Sequence, residues 1–185
     1  FPTPSLGLKL NTLTYNLKWF SKEIKEKINL IVGTQGMLQE NKNYGEEILI
    51  PDAQTIDIGV FSLLNYDLKR LKLQGGLRYD YRNLLTQEMT SDEGDFFPYL
   101  NKHYSSVNFS GGGVYKFEKS NIRLNIASGF RAPNSAELLS DGVHHGAARY
   151  QIGDELLKSE RSYQVDFTYQ YTNEHFSFSV NPFLN

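Results

Sequence analysis

Apolar and polar residues alternate one by one along most of this chain, and a side-chain period of two is met only by extended backbone. Leu71, Leu73, Gly75, Leu77, Tyr79 and Tyr81 share one side, while Lys72, Gln74, Gly76, Arg78, Asp80 and Arg82 take the other. The same alternation runs from Val107 to Phe117, Ile122 to Phe130, Tyr163 to Tyr171 and Phe176 to Val180. One apolar face opposite one wet face marks antiparallel strands. Residues 24–40 and 54–67 read as further strands, although Phe61 and Leu63 interrupt the polar face of the second. Near the start, Leu6, Leu8 and Leu10 change phase to Leu13, Tyr15, Leu17 and Trp19. That change predicts a bulge near Asn11 and Thr12. About eight strands result, most of them longer than an ordinary globular strand.

The connections sort themselves by length. Short polar turns near Ser21-Lys22, Lys69-Arg70, Lys119-Ser120 and Asn173-Glu174 alternate with long connections around 42–53, 86–102 and 132–160. Short turns at one end and long loops at the other characterise outer-membrane β-barrels. Trp19, Phe20, Tyr66, Tyr115, Phe117, Tyr169, Tyr171 and Phe176 lie beside the short turns. Tyr79, Tyr81, Tyr104, Phe130 and Tyr163 lie toward the long loops, so two aromatic girdles bracketing an apolar band are expected. A soluble antiparallel sandwich has the same alternation and would use these aromatics as core. The strand lengths favour the barrel.

Composition narrows the function classes. The 185 residues are 39% apolar and 14% aromatic, which suits a pleated surface. A net charge of -2 gives no basic footprint for nucleic acid. With no cysteine there is neither a disulfide framework nor a thiolate metal site. No apolar run is long enough for a transmembrane helix, a test that β-barrels escape. No signal peptide precedes Phe1, and the chain reads as an internal fragment. Catalytic signatures are missing too: there is no Gly-x-Ser-x-Gly elbow, no His-Glu-x-x-His, and Gly111-Gly112-Gly113 falls inside a strand. Ser140, Asp141 and His144 match a triad by residue type alone, and nearness in sequence does not make one. The chain reads as no enzyme.

Chemistry-bearing residues gather in the long connections. Asp141, His144 and His145 offer carboxylate and imidazole donors for zinc, copper or iron, with His103 as a further candidate from the neighbouring connection. Adjacent histidines reach one ion only from a turn, which Gly142 and Gly146 allow. The bland alternative is that they fix loop geometry or face water. Phe96, Phe97 and Tyr99 suit stacking on a sugar or an aromatic chelate, or packing the loop onto the rim. Asp92, Glu93 and Asp95 suit a cationic ligand or a merely solvated face. Arg78, Asp80, Arg82, Arg123, Arg131 and Asp166 are expected to pair across strands inside the lumen.

Two stretches resemble a known family. Pro51-Asp52 through Gly59-Val60-Phe61 to Gly75-Gly76-Leu77-Arg78-Tyr79-Asp80 is similar to a hairpin of the TonB-dependent receptor barrels. Gly129-Phe130-Arg131-Ala132-Pro133-Asn134, His144-His145-Gly146, Arg149-Tyr150, Ile152-Gly153 and Leu156 to Glu160 resemble the next such segment. The family usually has a proline between the lysine and glutamate of Leu157-Lys158-Ser159-Glu160; this chain has Ser159. The resemblance implies an all-β fold, an antiparallel transmembrane barrel of about 22 strands of which residues 1–185 hold roughly a third. A plug domain, a signal peptide and the C-terminal strands would lie outside these residues. It further implies TonB-energised import of a scarce nutrient across the bacterial outer membrane, such as an iron-siderophore, haem or another metal complex. The partners it implies are membrane lipid, the TonB complex acting through the missing N-terminal part, the receptor's own plug and a small-molecule or metal-chelate ligand. No cofactor is required, and a metal ion or chelate would be cargo. Arg149 and Tyr150 join Asp141, His144 and His145 as candidate ligand-binding residues of the extracellular loops. Other readings are a passive barrel or adhesin without energy coupling, and a soluble all-β binding module.

Overall fold

A computed structural model describes residues 7–24, 27–45, 47–91, 94–144 and 149–185. In chain order the elements begin with β1 (Leu8–Phe20), β2 (Ile28–Asn43), β3 (Ala53–Leu68) and β4 (Leu71–Thr86). There follow β5 (Met89–Thr90), β6 (Phe96–Phe97), β7 (Leu100–Lys116) and β8 (Ser120–Arg131). The chain continues with α1 (Ser135–Leu139), β9 (Asp141–His144), β10 (Arg149–Ile152) and β11 (Glu160–Thr172), and ends on β12 (Ser177–Val180) and β13 (Phe183–Leu184). One antiparallel sheet runs β1-β2-β3-β4-β7-β8-β11, with β12 and β13 both pairing β11 as one interrupted strand. Every long strand therefore pairs with its neighbours in sequence. β1 and the β12–β13 strand each have a single neighbour, so the sheet is an open arc of barrel wall.

The expected alternation becomes the two faces of that wall. Leu13, Leu17, Leu38, Val60, Leu64, Leu77, Phe109, Leu124 and Phe167 share the outward face and stay exposed. Moving such a side chain out of water is worth about 1.5–3 kcal/mol, so a face carrying so many of them needs an apolar solvent. Among the described residues no second large sheet covers it, as a soluble sandwich would require. Lipid fits instead. Tyr15 lies over Gly36, filling the space that a β-carbon there would need.

Trp19, Tyr115, Phe117, Phe176 and Phe178 stand exposed beside the short turns, and Tyr115 and Phe117 meet at 4.8 Å between ring centres. Of the girdle aromatics expected toward the other end, Tyr79 and Tyr163 are exposed. Two expected girdle residues fall on the other face. Phe20 is opposite Ile31 and Tyr104 opposite Arg82, so the alternation turns both inward.

The bulge expected near Asn11 and Thr12 does not form. From Leu8 opposite Asn43 to Phe20 opposite Ile31 the register of β1 on β2 never slips. Leu8 and Leu10 instead lie on the inner face, beside Met37, Asn41, Ile50 and Ala53 and under Pro133–Ala136. The phase change in the sequence records a change in what covers the inner face, which beside Leu8 and Leu10 is covered by Pro133–Ala136 of the 132–159 connection.

Candidate functional site

β7 has 17 residues and β8 has 12, more than the roughly 9–11 that a tilted strand needs to cross a membrane. The surplus raises a rim at the long-connection end, and the 132–159 connection folds down inside it. Pro133 leads into α1, whose N-cap Asn134 accepts a hydrogen bond from the Glu137 amide while Glu137 accepts one from the Asn134 amide, each at 3.0 Å. This reciprocal capping box satisfies two of the helix's free donors. Leu138 and Leu139 are then buried against Ala53 of β3 and Leu84 of β4, with Leu100 of β7 beside them.

Arg131, the last residue of β8, fixes the start of this strap. Its Nε and Nη2 donate to Glu160 at 3.0 Å each, and its Nη1 donates to Glu137 at 2.7 and 3.0 Å. Glu160 is its cross-strand partner on β11. One guanidinium thus joins β8, β11 and α1 through charge-assisted bonds. Both carboxyls are held below the usual carboxylate range by Arg131, helped for Glu137 by the Asn134 amide, and Arg131 itself is held above its ordinary value. The far end is fixed by Gly153, whose amide donates to Ser140 O at 2.7 Å. A β-carbon on Gly153 would lie 2.6 Å or less from the Leu138 carbonyl group and the Leu139 nitrogen. Ser140 is buried and donates its hydroxyl to Ala136 O, so it is a helix terminator with no free nucleophile.

Above the strap, β9 and β10 form a hairpin in which Tyr150 donates to Asp141 Oδ1 at 2.5 Å. That bond, with the added charge of Asp95, holds the Tyr150 phenol above its ordinary pKa. Asp95 lies between β5 and β6, where its amide donates to Ser91 Oγ at 2.9 Å while the Ser91 amide donates to Asp95 O and the Ser91 hydroxyl to Asp95 Oδ2. Of the aromatic candidates there, Phe96 and Tyr99 are exposed whereas Phe97 is buried and packs the loop onto the rim. Asp141, Tyr150, Phe96 and Tyr99 therefore present an acidic and aromatic rim. His144 and Arg149 are opposite one another in the hairpin; their side chains, like the whole of His145, Asp92 and Glu93, lie outside the described part of the structure. His103 sits apart from that group. It is already inside β7 on the outward face, where its Nδ1 meets Tyr81 Oη at 2.8 Å and Asn83 Nδ2 at 3.0 Å. Among the described residues no three His, Asp or Glu side chains cluster as a metal site.

Below the strap the inner wall is polar and internally paired. Arg82 makes a two-pronged bond to Asp57 across β4 and β3, both prongs at 2.6 Å. Arg78 donates to Asp80 at 2.7 and 2.9 Å and to Gln35 at 2.6 Å, and its guanidinium stands 5.7 Å from the Phe61 ring centre. Asn108 donates to the same Asp80 at 3.3 Å. Gly59 makes room for this pair, since a β-carbon there would meet Arg78 Nη2 at 2.2 Å. An open recess of about 440 Å³ is lined by Gln35, Met37, Asp57, Arg78, Asp80 and Arg82. The interior charges expected to pair across strands do so at Arg82 and Arg131, whereas Arg78 pairs along its own strand and Asp166 accepts from Gln164. Sequence reasoning missed Asp57, Gln35, Glu137 and Gly153. Only Glu137 had a legible signal, the Asn-x-x-Glu spacing of a capping box behind a proline.

The family described as TonB dependent receptor-like, beta-barrel, matches residues 38–185. The copper transporter OprC superposes with a TM-score of 0.75 at 16% identity, over 95% of this chain and 29% of that one. The hemophore receptor HasR of Serratia marcescens gives 0.74 at 16% identity, over 89% and 30%. The ferric-catecholate import receptor Fiu of E. coli K12 gives 0.70 at 14% identity, over 96% and 31%. This chain spans about three tenths of the length of these solved structures. No curated protein matches it. An outward apolar wall, a polar lumen and a strapped extracellular rim, together with the match over residues 38–185, make this chain part of the outer-membrane barrel of a TonB-dependent receptor.

Proposed function

We propose that the complete protein imports a metal complex across the outer membrane, with energy delivered by TonB and gating by a plug domain inside the barrel. The observation that carries this reading is the rim itself, where Asp141 and Tyr150 bond to each other beside the exposed Phe96 and Tyr99, above a lumen of self-paired charges. Carboxylate and phenol oxygens are hard donors suited to iron, and exposed aromatic faces suit the ring systems of chelates such as haem or catecholates. The similar structures named for copper, haem and ferric-catecholate fit that cargo class. His144 and Arg149 belong to the same hairpin, and together with His145 they complete the proposed ligand set. Cargo captured there descends past α1 to a wall whose arginines are already neutralised by Asp57 and Asp80, so it is not held on the way.

Uptake of labelled ferric catecholate, haem and copper by cells carrying the complete receptor tests this. The expected outcome is uptake of one of the three that stops when TonB is removed. It should also weaken about ten-fold or more in the Asp141→Asn, Tyr150→Phe double variant, as for the loss of a charged hydrogen-bonding group. Uptake of none of them, or uptake that persists without TonB, overturns the proposal.

A further inference from the structure

We propose that the seam between β7 and β8 is a hinged valve, in which the outer end of β8 swings between the lumen and the wall. Pairing of β7 with β8 runs from Lys116 opposite Asn121 to Ser110 opposite Ala127 and stops there. Neither strand has ended. β7 continues to Leu100, paired with β4 as far as Thr86, and β8 continues to Arg131, paired with β11 as far as Glu160. Each half of the wall is thus intact to the rim, and only the join between them parts. Phe130 and Arg131 line the lumenal recess with Arg78, Asp80 and Arg82, so the end of β8 is turned inward.

The open fork is capped. The Ser128 hydroxyl accepts from the Phe109 amide at 2.9 Å and donates to the Phe109 carbonyl at 3.5 Å. It stands in for the next rung, which the Ser128 backbone would form in a zipped seam. That role accounts for a polar residue following Ile122, Leu124 and Ile126 in the outward stripe. The zipped seam is equally well provided for. Continuing the register sets Phe130 opposite Val107, two apolar side chains in the outward row of Tyr79. Backbone groups cannot stand bare in hydrocarbon, and Tyr79 marks the outer girdle, so the fork opens where headgroups and water begin. Glycines flank the hinge, Gly111-Gly112-Gly113 on β7 and Gly129 on β8, and they weaken a strand enough to bend it. Arg131 ties the end of β8 to Glu137 of the strap, so the strap follows. Turned in, β8 narrows the lumen over the recess; zipped, it stands back in the wall and clears it.

Paired cysteines, of which residues 1–185 have none of their own, report the seam in the complete receptor in vesicles. Val107→Cys with Phe130→Cys brings two α-carbons about 5.5 Å apart when the seam is zipped, within disulfide reach. Gly111→Cys with Ile126→Cys lies below the fork, where a β-carbon has room, and is the always-paired control. With an added oxidant the upper pair is expected to close roughly ten- to a thousand-fold more slowly than the control, as for a minor state. Ser128→Ala removes the cap of the open fork and should speed the upper pair about five-fold, leaving the control unchanged. If the cysteine variants do not fold, amide exchange on the unaltered receptor decides. The Val107 amide, two residues from that of Phe109, points at the seam, whereas the Tyr79 amide at the same height bonds across to Val60. Val107 should exchange about a hundred-fold faster than Tyr79. Equal closure of both pairs, no closure of the upper pair while the control closes, no effect of Ser128→Ala, or equal protection of Val107 and Tyr79 overturns the proposal. Each read-out is taken without cargo, so the seam and the import reading fail separately.

Discussion

Gly153 and Arg131 show how much of the rim depends on single residues. Adding a methyl group at Gly153 drives it into the main chain of Leu138 and Leu139, which cannot rotate away as a side chain can. Gly153→Ala should therefore cost about 1–3 kcal/mol of local stability, read as faster amide exchange across residues 135–153 of the complete receptor with the β3–β4 amides unchanged. The Arg131 clamp has a defined pH sense. Glu137 and Glu160 have folded-state pKa values below their unfolded ones, so the clamp's contribution is complete above the ordinary glutamate value of about 4.3. It fades as pH falls from there through the depressed folded values. Protease resistance of the strap should accordingly persist at pH 7 and decline below about 4.3, and Arg131→Gln should flatten that dependence. High salt should weaken the same clamp, because Arg131 and Glu160 are open to solvent.

At the scale of elements, the strands were legible and the strap was not. Period-two alternation placed all eight wall strands and their short turns, because a lipid-facing side chain must be apolar whatever its partners are. The same rule misled at Leu8 and Leu10. Alternation reports the contrast between faces and does not say which face is inside, and a loop packed on the lumen side makes that side apolar. α1 escaped notice because a single capped turn has no period to detect, and its capping box consists of only Asn134 and Glu137. Asp57 and Gln35 were illegible for another reason: their roles depend on register against β4 and on long side-chain reach, which local sequence does not encode. The wall's polarity yields a direct test. Leu77→Arg, on the outward face near the middle of β4, should lower the folding stability of the complete receptor in vesicles by about 2–4 kcal/mol. Gln74→Arg on the inner face of the same strand should cost far less, and a similar loss at both sites would contradict the assignment of faces.

For the whole molecule, the two single-neighbour strands matter most. β1 and the β12–β13 strand leave rows of backbone donors and acceptors unpaired, which no lipid can satisfy. Residues 1–185 produced alone should therefore fail to give the heat-resistant, protease-protected band of a closed barrel in detergent, while the complete receptor gives it. A closed, resistant product from this chain alone would mean that the edges can meet, as eight strands in principle allow. The strap adds a mechanical consequence. Its ends are tied to β8 and β11, adjacent strands, while α1, near its start, reaches across to β3, β4 and β7. It therefore spans the arc as a bowstring spans a bow, over the three strand spacings from β8 to β3, about 15 Å. The arc cannot flatten at its outer end without stretching that string, so the curvature of the mouth is set by a loop as well as by the twist of the wall.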